Sequence, residues 1–227
     1  MRWNAPLSER RAEELLDRLD LRPGQSLLDV GCGWGELLLR AARACGGGCV
    51  ATGVDTDRWA LRRGADAALE RGLDVRFVPA EARDWAEPAD RVLCVGASHA
   101  WGGTRHALTA LAALVHPDGR LLFGDACWER TPSPAAAEMF GAEVLPLADV
   151  VRAAMGAGWR ILDVSTSDQQ EWDSFESAYR LARQVWLLAH PDSRHAPRIR
   201  DQVDSQLTTY VSTYRAQLGF CYLVMAR

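Results

Sequence analysis

The feature that most constrains this fold is a glycine-rich turn between a buried strand and a helix. Residues Ser26 to Val30 are typical of a short apolar strand, glycines follow at positions 31, 33 and 35, and an apolar helical pattern runs from Glu36 to about Ala44. Glycines in such a turn let the backbone approach a ligand closely. Strand, turn and helix together form the start of a βαβ unit, which predicts a parallel sheet.

Strands and helices continue to alternate along the next part of the chain. They are predicted over residues 49–54, 57–70, 75–78, 91–95, 104–115 and 120–124. A helix over residues 9–19, with Ser8 as its N-cap, precedes them. This order implies right-handed crossovers and a parallel sheet with helices on both of its faces.

The alternation loosens after residue 125. The remaining elements are predicted as a loop with a short helix, a helix, a sixth strand, two long amphipathic helices and a last strand, over residues 125–146, 147–157, 160–166, 172–189, 197–218 and 220–226. A length of 227 residues with 48% hydrophobic residues fits one globular domain over residues 1–227.

Composition excludes several classes of function. The net charge of -4 would repel a polyanion, so we expect no nucleic-acid partner. The basic residues are all arginines, which excludes a Schiff-base lysine. No apolar run could span a bilayer and no signal peptide opens the chain, so a soluble, cytoplasmic protein without a membrane partner is expected. The six cysteines form no CxxC unit, and most are expected to be buried thiols.

The glycine turn differs from a dinucleotide-binding fingerprint. That fingerprint needs a third glycine where Glu36 stands, and a glutamate at the start of the helix would repel a pyrophosphate. An NAD-linked oxidoreductase is therefore a remote alternative, and a ligand without phosphate is favoured.

The segment Asp29-Val30-Gly31-Cys32-Gly33-Trp34-Gly35 resembles the first motif of class I S-adenosylmethionine-dependent methyltransferases, an acidic residue followed by GxGxG. Asp55, about 20 residues past the turn, resembles the family's second acidic motif, whose carboxylate accepts both ribose hydroxyls. Ala80-Glu81-Ala82 is similar to the segment near the adenine, with glutamate in place of the more usual aspartate. The resemblance covers about residues 24–125, including the turn at 116–120.

This resemblance implies a Rossmann-like, doubly wound α/β fold with a seven-stranded, mostly parallel sheet and an antiparallel last strand. It implies S-adenosylmethionine as cofactor, S-adenosylhomocysteine as product, and the cofactor-binding residues Asp29, Gly31, Cys32, Gly33, Asp55, Thr56, Glu81, Ala82, Gly96 and Ala97. The plainest members join strands six and seven by a short turn, whereas this chain has a helical insertion there. We expect residues 126–146 and 167–219 to shape the substrate pocket, with core padding or a dimer surface as the alternative.

The catalytic group is expected on the loop after strand four, where His99 lies. Methyl transfer from a sulfonium needs a positioned nucleophile and a group that removes its proton, and a histidine can do so near neutral pH. His99 could equally bind the cofactor carboxylate or cap the next helix.

The acceptor is predicted to be a small, partly apolar molecule such as a specialised metabolite. Trp101, Trp128 and Glu129 are expected at the pocket mouth, although Glu129 could simply form a surface salt bridge. No [N/D]-P-P-[Y/F] segment follows strand four and no carboxylate cluster is evident, so neither a nucleic-acid substrate nor a metal is predicted. Cyclisation or rearrangement at the same site, or binding of S-adenosylmethionine without catalysis, remain open, and the protein is expected as a monomer or homodimer.

Overall fold

An eight-stranded sheet organises the computed structural model, which describes residues 1–46 and 48–227. Its strands are β1 (Ser26–Val30), β2 (Val50–Asp55), β3 (Val75–Pro79), β4 (Ala89–Val95), β5 (Val115–Trp128), β6 (Leu145–Pro146), β7 (Arg160–Thr166) and β8 (Leu218–Ala226). The order across the sheet is β3-β2-β1-β4-β5-β8-β7, with β6 paired to β5.

The strands are connected by helices whose first turns are capped where the sequence offers a short polar side chain. The helices are α1 (Glu9–Arg18), α2 (Glu36–Ala44), α3 (Arg58–Glu70), α4 (Thr104–Leu111), α5 (Pro134–Phe140), α6 (Leu147–Gly156), α7 (Gln169–Ala189) and α8 (Ala196–Thr209). Ser8, Asp57 and Asp168 accept hydrogen bonds from the first turns of α1, α3 and α7. Such caps satisfy amide groups that have no partner within the helix.

The predicted fold class is confirmed. Strands β1 to β5 pair in parallel, and β8 lies antiparallel between β5 and β7. The sheet has eight strands instead of seven, because the two-residue β6 pairs with Cys127 and Trp128. Strand β5 also continues to Trp128, beyond the predicted end at residue 124, because β8 pairs with it from Arg120 onward. Pairing with a distant strand thus orders a segment that looked like a loop.

Two apolar cores lie on opposite faces of the sheet. One contains residues from α1, α2 and α5 and the first turn of α7, and the other contains residues from α4 and α6. Side chains of β8 alternate between them: Phe220 and Tyr222 face the first core, whereas Cys221 and Leu223 face the second. This alternation is expected of a central strand with helices on both faces.

The predicted insertion between the last two long strands is helical. At its start, Glu171 accepts hydrogen bonds from the Arg11 Nε and the Ser8 amide, at 2.9 and 3.0 Å. The second helix ends earlier than predicted, because α8 gives way to a π-helical turn over Tyr210–Tyr214. The insertion is therefore fastened to α1 by a buried ion pair and ends in irregular backbone.

Two further observations concern predictions from composition. Within the described residues, no helix is long and apolar enough to cross a membrane. Cys94, Cys127 and Cys221 are buried free thiols, whereas Cys45 and Cys49 form a disulfide that local spacing had not predicted.

Candidate functional site

A cavity of about 400 Å³ opens at the carboxyl ends of β1, β2 and β4. The carboxyl ends of parallel strands meet at one edge of a sheet, where ligands of α/β proteins bind. All ten residues predicted to bind the cofactor line this cavity, and so does the predicted base: Asp29, Gly31, Cys32, Gly33, Asp55, Thr56, Glu81, Ala82, Gly96, Ala97 and His99. The structure thus brings together residues spread over 71 sequence positions, from 29 to 99.

The glycine turn after β1 forms the floor of the cavity. The amides of Gly31 and Cys32 both donate to the Val54 carbonyl, at 2.8 and 3.0 Å, which ties the turn to β2. A side chain at Gly31 would overlap the Cβ of Ala97, whereas an added Cβ at Gly33 would have no atom within 4 Å. Gly33 has a φ of +55°, a conformation that favours glycine. The turn therefore leaves open space above Gly33 for a ligand.

Asp55, at the end of β2, is oriented by backbone amides. One carboxylate oxygen accepts from the Gly33 amide at 2.7 Å, and the other accepts from the Asp57 amide at 2.9 Å. Each carboxylate oxygen has a second lone pair, so Asp55 can still accept two further hydrogen bonds from the cavity. This geometry suits a ligand with two neighbouring hydroxyl groups.

Asp29 is a buried carboxyl group beside Asp55. Within residues 1–46 and 48–227, no group hydrogen-bonds its side chain, which is 5% exposed with the rest of the residue. Burial and the negative charge of Asp55 raise the pKa of Asp29 to about 8. A cationic ligand in the cavity would favour the ionised form, so this wall is suited to positive charge.

His99 lies on the cavity wall in a short 3-10 helix over Ser98–Trp101, directly after β4. Its side chain is exposed, and no hydrogen bond to its ring is present in the described part of the chain. The neighbouring Ser98 and Ala97 are buried, which fixes the backbone that carries it. A free imidazole on a fixed turn is available to take a proton from a molecule in the cavity.

Glu36, an acidic residue of the cavity, differs from what the sequence suggested. Glu36 is paired with Arg40 at 3.0 Å and Arg71 at 2.6 Å, and these hydrogen bonds outweigh burial and hold its pKa below the ordinary value. Its charge is balanced, so it repels an anion less than the sequence alone suggested. Glu81 is exposed and lies 3.8 Å from Arg83.

The N-terminal segment forms a wall that sequence reasoning missed. Its residues on the cavity are Arg2, Trp3, Asn4, Ala5 and Leu7. The Trp34 Nε1 donates to the Arg2 carbonyl at 2.9 Å, and the Arg63 guanidinium stacks 4.4 Å from the Trp34 ring centroid. The sequence showed only scattered apolar residues before α1, and these do not reveal contacts with residues 34 and 63.

The three residues predicted to line the acceptor pocket lie outside this cavity. Trp101 packs half-buried against the core that contains α4. Trp128 lies at the end of β5, not on a loop. It is 6% exposed and belongs to the core that contains α1, α2 and α5. Glu129 is exposed and lies against Gly219. An acceptor that contacts Trp128 would therefore occupy a second region, next to the core that contains α1, α2 and α5.

Comparison with known proteins gives a consistent family. The family model described as mycolic acid cyclopropane synthetase matches residues 7–144. The protein YjhP of Escherichia coli (strain K12) is 29% identical over 228 residues, covering 96% of this chain and 91% of YjhP. The nocamycin O-methyltransferase of Saccharothrix syringae is 37% identical over 116 residues, covering 48% of this chain and 41% of that enzyme.

A solved structure matches the whole chain. The S-adenosylmethionine-dependent methyltransferase from Thiobacillus denitrificans, in complex with S-adenosyl-L-homocysteine, is 30% identical with a TM-score of 0.87. The match covers 100% of this chain and 94% of that one. The likeness therefore includes the helical insertion as well as the glycine turn.

Proposed function

This chain belongs to the mycolic acid cyclopropane synthetase family of S-adenosylmethionine-dependent methyltransferases, and we propose that it methylates a small, partly apolar acceptor with His99 as the base. The cofactor of such an enzyme is S-adenosylmethionine, and S-adenosylhomocysteine is its product. The observation that carries the proposal is that His99 lines the same cavity as Asp29 and Asp55.

The cavity residues fit this cofactor. The open space above Gly33 admits a ligand close to the backbone, and Asp55 can accept hydrogen bonds from the two ribose hydroxyls. Asp29 would face the ammonium group of the methionine part, whose positive charge would favour the ionised carboxylate against burial and the charge of Asp55, which raise its pKa. Glu81 and Ala82 would lie at the adenine end, and Gly96 and Ala97 would contact the cofactor from β4.

The bound sulfonium supplies a methyl group that is already activated for in-line displacement. The protein has to orient the acceptor, exclude water and remove a proton. His99 would take the proton from the acceptor hydroxyl or amine as the new bond to carbon forms. The N-terminal segment would cover the cavity and keep water from the reacting atoms.

The acceptor would enter through the parts of the chain that surround this core. Residues 126–146 and 167–219 contribute α5, the insertion and the π-helical turn, and we assign the acceptor pocket to them. One relative is a nocamycin O-methyltransferase, which supports methyl transfer to an oxygen atom. Transfer to oxygen is therefore the first activity to assay.

The family description favours a second candidate, which is transfer to an alkene carbon with ring closure. In that reaction the methyl group adds to the alkene, and the transferred methyl carbon then loses a proton as the ring closes. A base is needed there too, so His99 keeps its role. The two candidates differ in product, because one adds a methoxy group and the other a cyclopropane.

Activity is tested with S-adenosylmethionine labelled in its methyl group and a panel of neutral phenols, hydroxylated macrocycles and alkenes. We expect label in a small-molecule product, and a loss of roughly 10²-fold or more in kcat for His99→Asn with unchanged affinity for S-adenosylhomocysteine. His106→Asn, an exposed histidine on α4, is the matched control and should retain the native rate. Label found only in RNA or protein would contradict the proposal.

A further inference from the structure

A group of aromatic rings fills the space between the end of β5, α5, α7 and the π-helical turn. We call this group the aromatic cluster; its members are Trp128, Phe140, Trp172, Phe175, Tyr210 and Tyr214. The rings meet edge to face, with centroids 5.1 Å apart for Phe140 and Tyr214 and 5.8 Å apart for Trp128 and Phe140. Such contacts are favourable but individually weak.

One nitrogen in the aromatic cluster is shielded from solvent and has no partner. Trp172 is 8% exposed, and its fully buried Nε1 makes no hydrogen bond to any residue that the structure describes. By contrast, the buried Trp159 donates from its Nε1 to the Leu108 carbonyl at 2.9 Å. Leaving a buried donor unpaired is unfavourable. A ligand oxygen bound next to Trp172 would remove that cost.

The two tyrosine hydroxyls of the aromatic cluster are already satisfied. The Tyr214 hydroxyl donates to Glu176 at 2.7 Å, and Glu176 pairs with Arg180 at 3.3 Å in a buried ion pair. The Tyr210 hydroxyl donates to Asp173 at 2.7 Å. Asp173 also pairs with Arg215 at 2.9 Å, and this hydrogen bond holds the pKa of Asp173 at about 2. Among the described residues, the charged groups that accept from the two tyrosine hydroxyls are therefore already paired with arginines.

The aromatic cluster adjoins the main cavity. Ala126 pairs with Phe220 and Trp128 pairs with Leu218, so Trp128 and Phe220 are diagonal neighbours on one face of the sheet. The Phe220 ring lies 3.9 Å from the position a Cβ would take on Gly96, which lines the cavity. Phe220 therefore stands between the two regions, and a molecule in the aromatic cluster could reach toward the methyl donor.

The backbone beside the aromatic cluster is irregular. Tyr210 and Tyr214 bound the π-helical turn, and Ala216 follows with a φ of +63°. Both features are uncommon for such residues and occur preferentially at functional sites. Here the two tyrosine hydroxyls bind Asp173 and Glu176, and neither is available to the buried Trp172 indole.

We propose that the aromatic cluster is the acceptor site and that it takes a neutral, ring-bearing molecule whose oxygen accepts a hydrogen bond from the Trp172 indole. The site's role as acceptor pocket rests on the proposed function, whereas the ligand class rests on the aromatic cluster alone. Burying an aromatic ring of the ligand is more favourable than a single edge-to-face contact between two rings of the aromatic cluster. A neutral ligand is favoured because the carboxylates that hold the two tyrosine hydroxyls, Asp173 and Glu176, are already paired with arginines.

The test uses the full chain, saturated with S-adenosylhomocysteine and labelled with nitrogen-15 on its tryptophan indoles. The probe is 2-acetylnaphthalene, a neutral aryl ketone, and Trp172→Phe identifies the Trp172 signal by its loss. We expect a saturable downfield shift of the Trp172 indole proton and no shift for Trp159, whose indole already has a partner. If Trp172→Phe does not fold, contacts between the indole proton and the Phe175 and Tyr214 rings in the native protein give the same assignment.

Two probes with the same ring system are the controls. The hydrocarbon 2-ethylnaphthalene lacks the oxygen and should leave the Trp172 proton without a downfield shift, and the charged 2-naphthoate should bind at least about tenfold more weakly than the ketone. Absence of a shift with the ketone, or an equal response to naphthoate, would overturn this inference. Failure to bind S-adenosylhomocysteine is measured separately, and it would count against the proposed function instead.

Discussion

Two neighbouring carboxylates, Asp29 and Asp55, set the chemistry of the cavity at the scale of single residues. Asp55 accepts two backbone hydrogen bonds, whereas Asp29 is buried, hydrogen-bonds none of the described residues with its side chain and has a raised pKa. Their sequence positions were sufficient to place both on this cavity. Their different states could not be predicted, because burial and hydrogen-bond partners depend on where the turns after β1 and β2 come to lie.

The ionisation of Asp29 makes the ligand-free protein sensitive to pH. Its pKa is about 8 in the folded state and about 4 in an unfolded chain, so the folded state keeps a proton that the unfolded state releases. The stabilisation that protonated Asp29 gives the folded state is therefore complete below about pH 4, and it is lost as the pH rises to about 8. Asp29→Asn cannot ionise, so it should melt at least about 5 °C higher than the native protein at pH 8.

Calorimetric melting at pH 5 and pH 8 without cofactor checks this prediction. The gain from Asp29→Asn should be smaller at pH 5, and the exposed Asp74→Asn should show no such dependence on pH. The same variant should bind S-adenosylmethionine more weakly, because the carboxylate for the ammonium group is gone. A melting temperature equal to or below the native value at pH 8 would contradict this account of Asp29.

Gly33 and Gly72 allow the backbone cost of a substitution to be separated from its effect on the cavity. Both have a positive φ, +55° and +63°, and neither has an atom within 4 Å of an added Cβ. Gly33→Ala and Gly72→Ala should therefore lose similar stability, about 1 kcal/mol each. Only Gly33→Ala should weaken S-adenosylhomocysteine binding, by roughly tenfold or more, since its methyl group enters the cavity. Equal affinities of the two variants would show that no ligand approaches this turn.

At the scale of elements, local sequence patterns predicted most boundaries well. Strand β1 and helix α2 begin and end where the pattern placed them, because a capped or glycine-bounded apolar run is a local signal. The ends of β5 and α8 were misplaced. Strand β5 is extended by its pairing with β8, and α8 is interrupted by the π-helical turn that orients Tyr210 and Tyr214. Both features depend on contacts between residues far apart in sequence.

The N-terminal segment is the element whose function can be tested most simply. Trp34→Phe removes the hydrogen bond to the Arg2 carbonyl but keeps an aromatic ring for Arg63. Since such a bond is worth about 1 kcal/mol, S-adenosylhomocysteine should dissociate roughly fivefold faster from the variant. Trp59→Phe is the control, because Trp59 is 77% exposed on α3. Stopped-flow dissociation rates that are the same for both variants would mean that the segment does not cover the ligand.

The whole molecule combines a cavity whose lining could be predicted with an aromatic cluster whose packing could not. The fold class followed from alternating elements and the glycine turn, and the residues predicted to bind the cofactor lie on one cavity. The contacts within the aromatic cluster could not be predicted in the same way. Trp128 comes together with Trp172 and Tyr214 only when β5, α7 and the π-helical turn pack on one core. No local motif encodes that packing.

The central claim is that the cavity binds S-adenosylmethionine through Asp55. The most direct measurement is calorimetric titration of the native protein, Asp55→Asn and the control Asp74→Asn with S-adenosylmethionine, S-adenosylhomocysteine and NAD. The account predicts micromolar binding of both sulfur ligands to the native protein and to Asp74→Asn, and binding at least about tenfold weaker to Asp55→Asn. Binding of NAD alone, or equal affinity of the native protein and Asp55→Asn for the sulfur ligands, would contradict it.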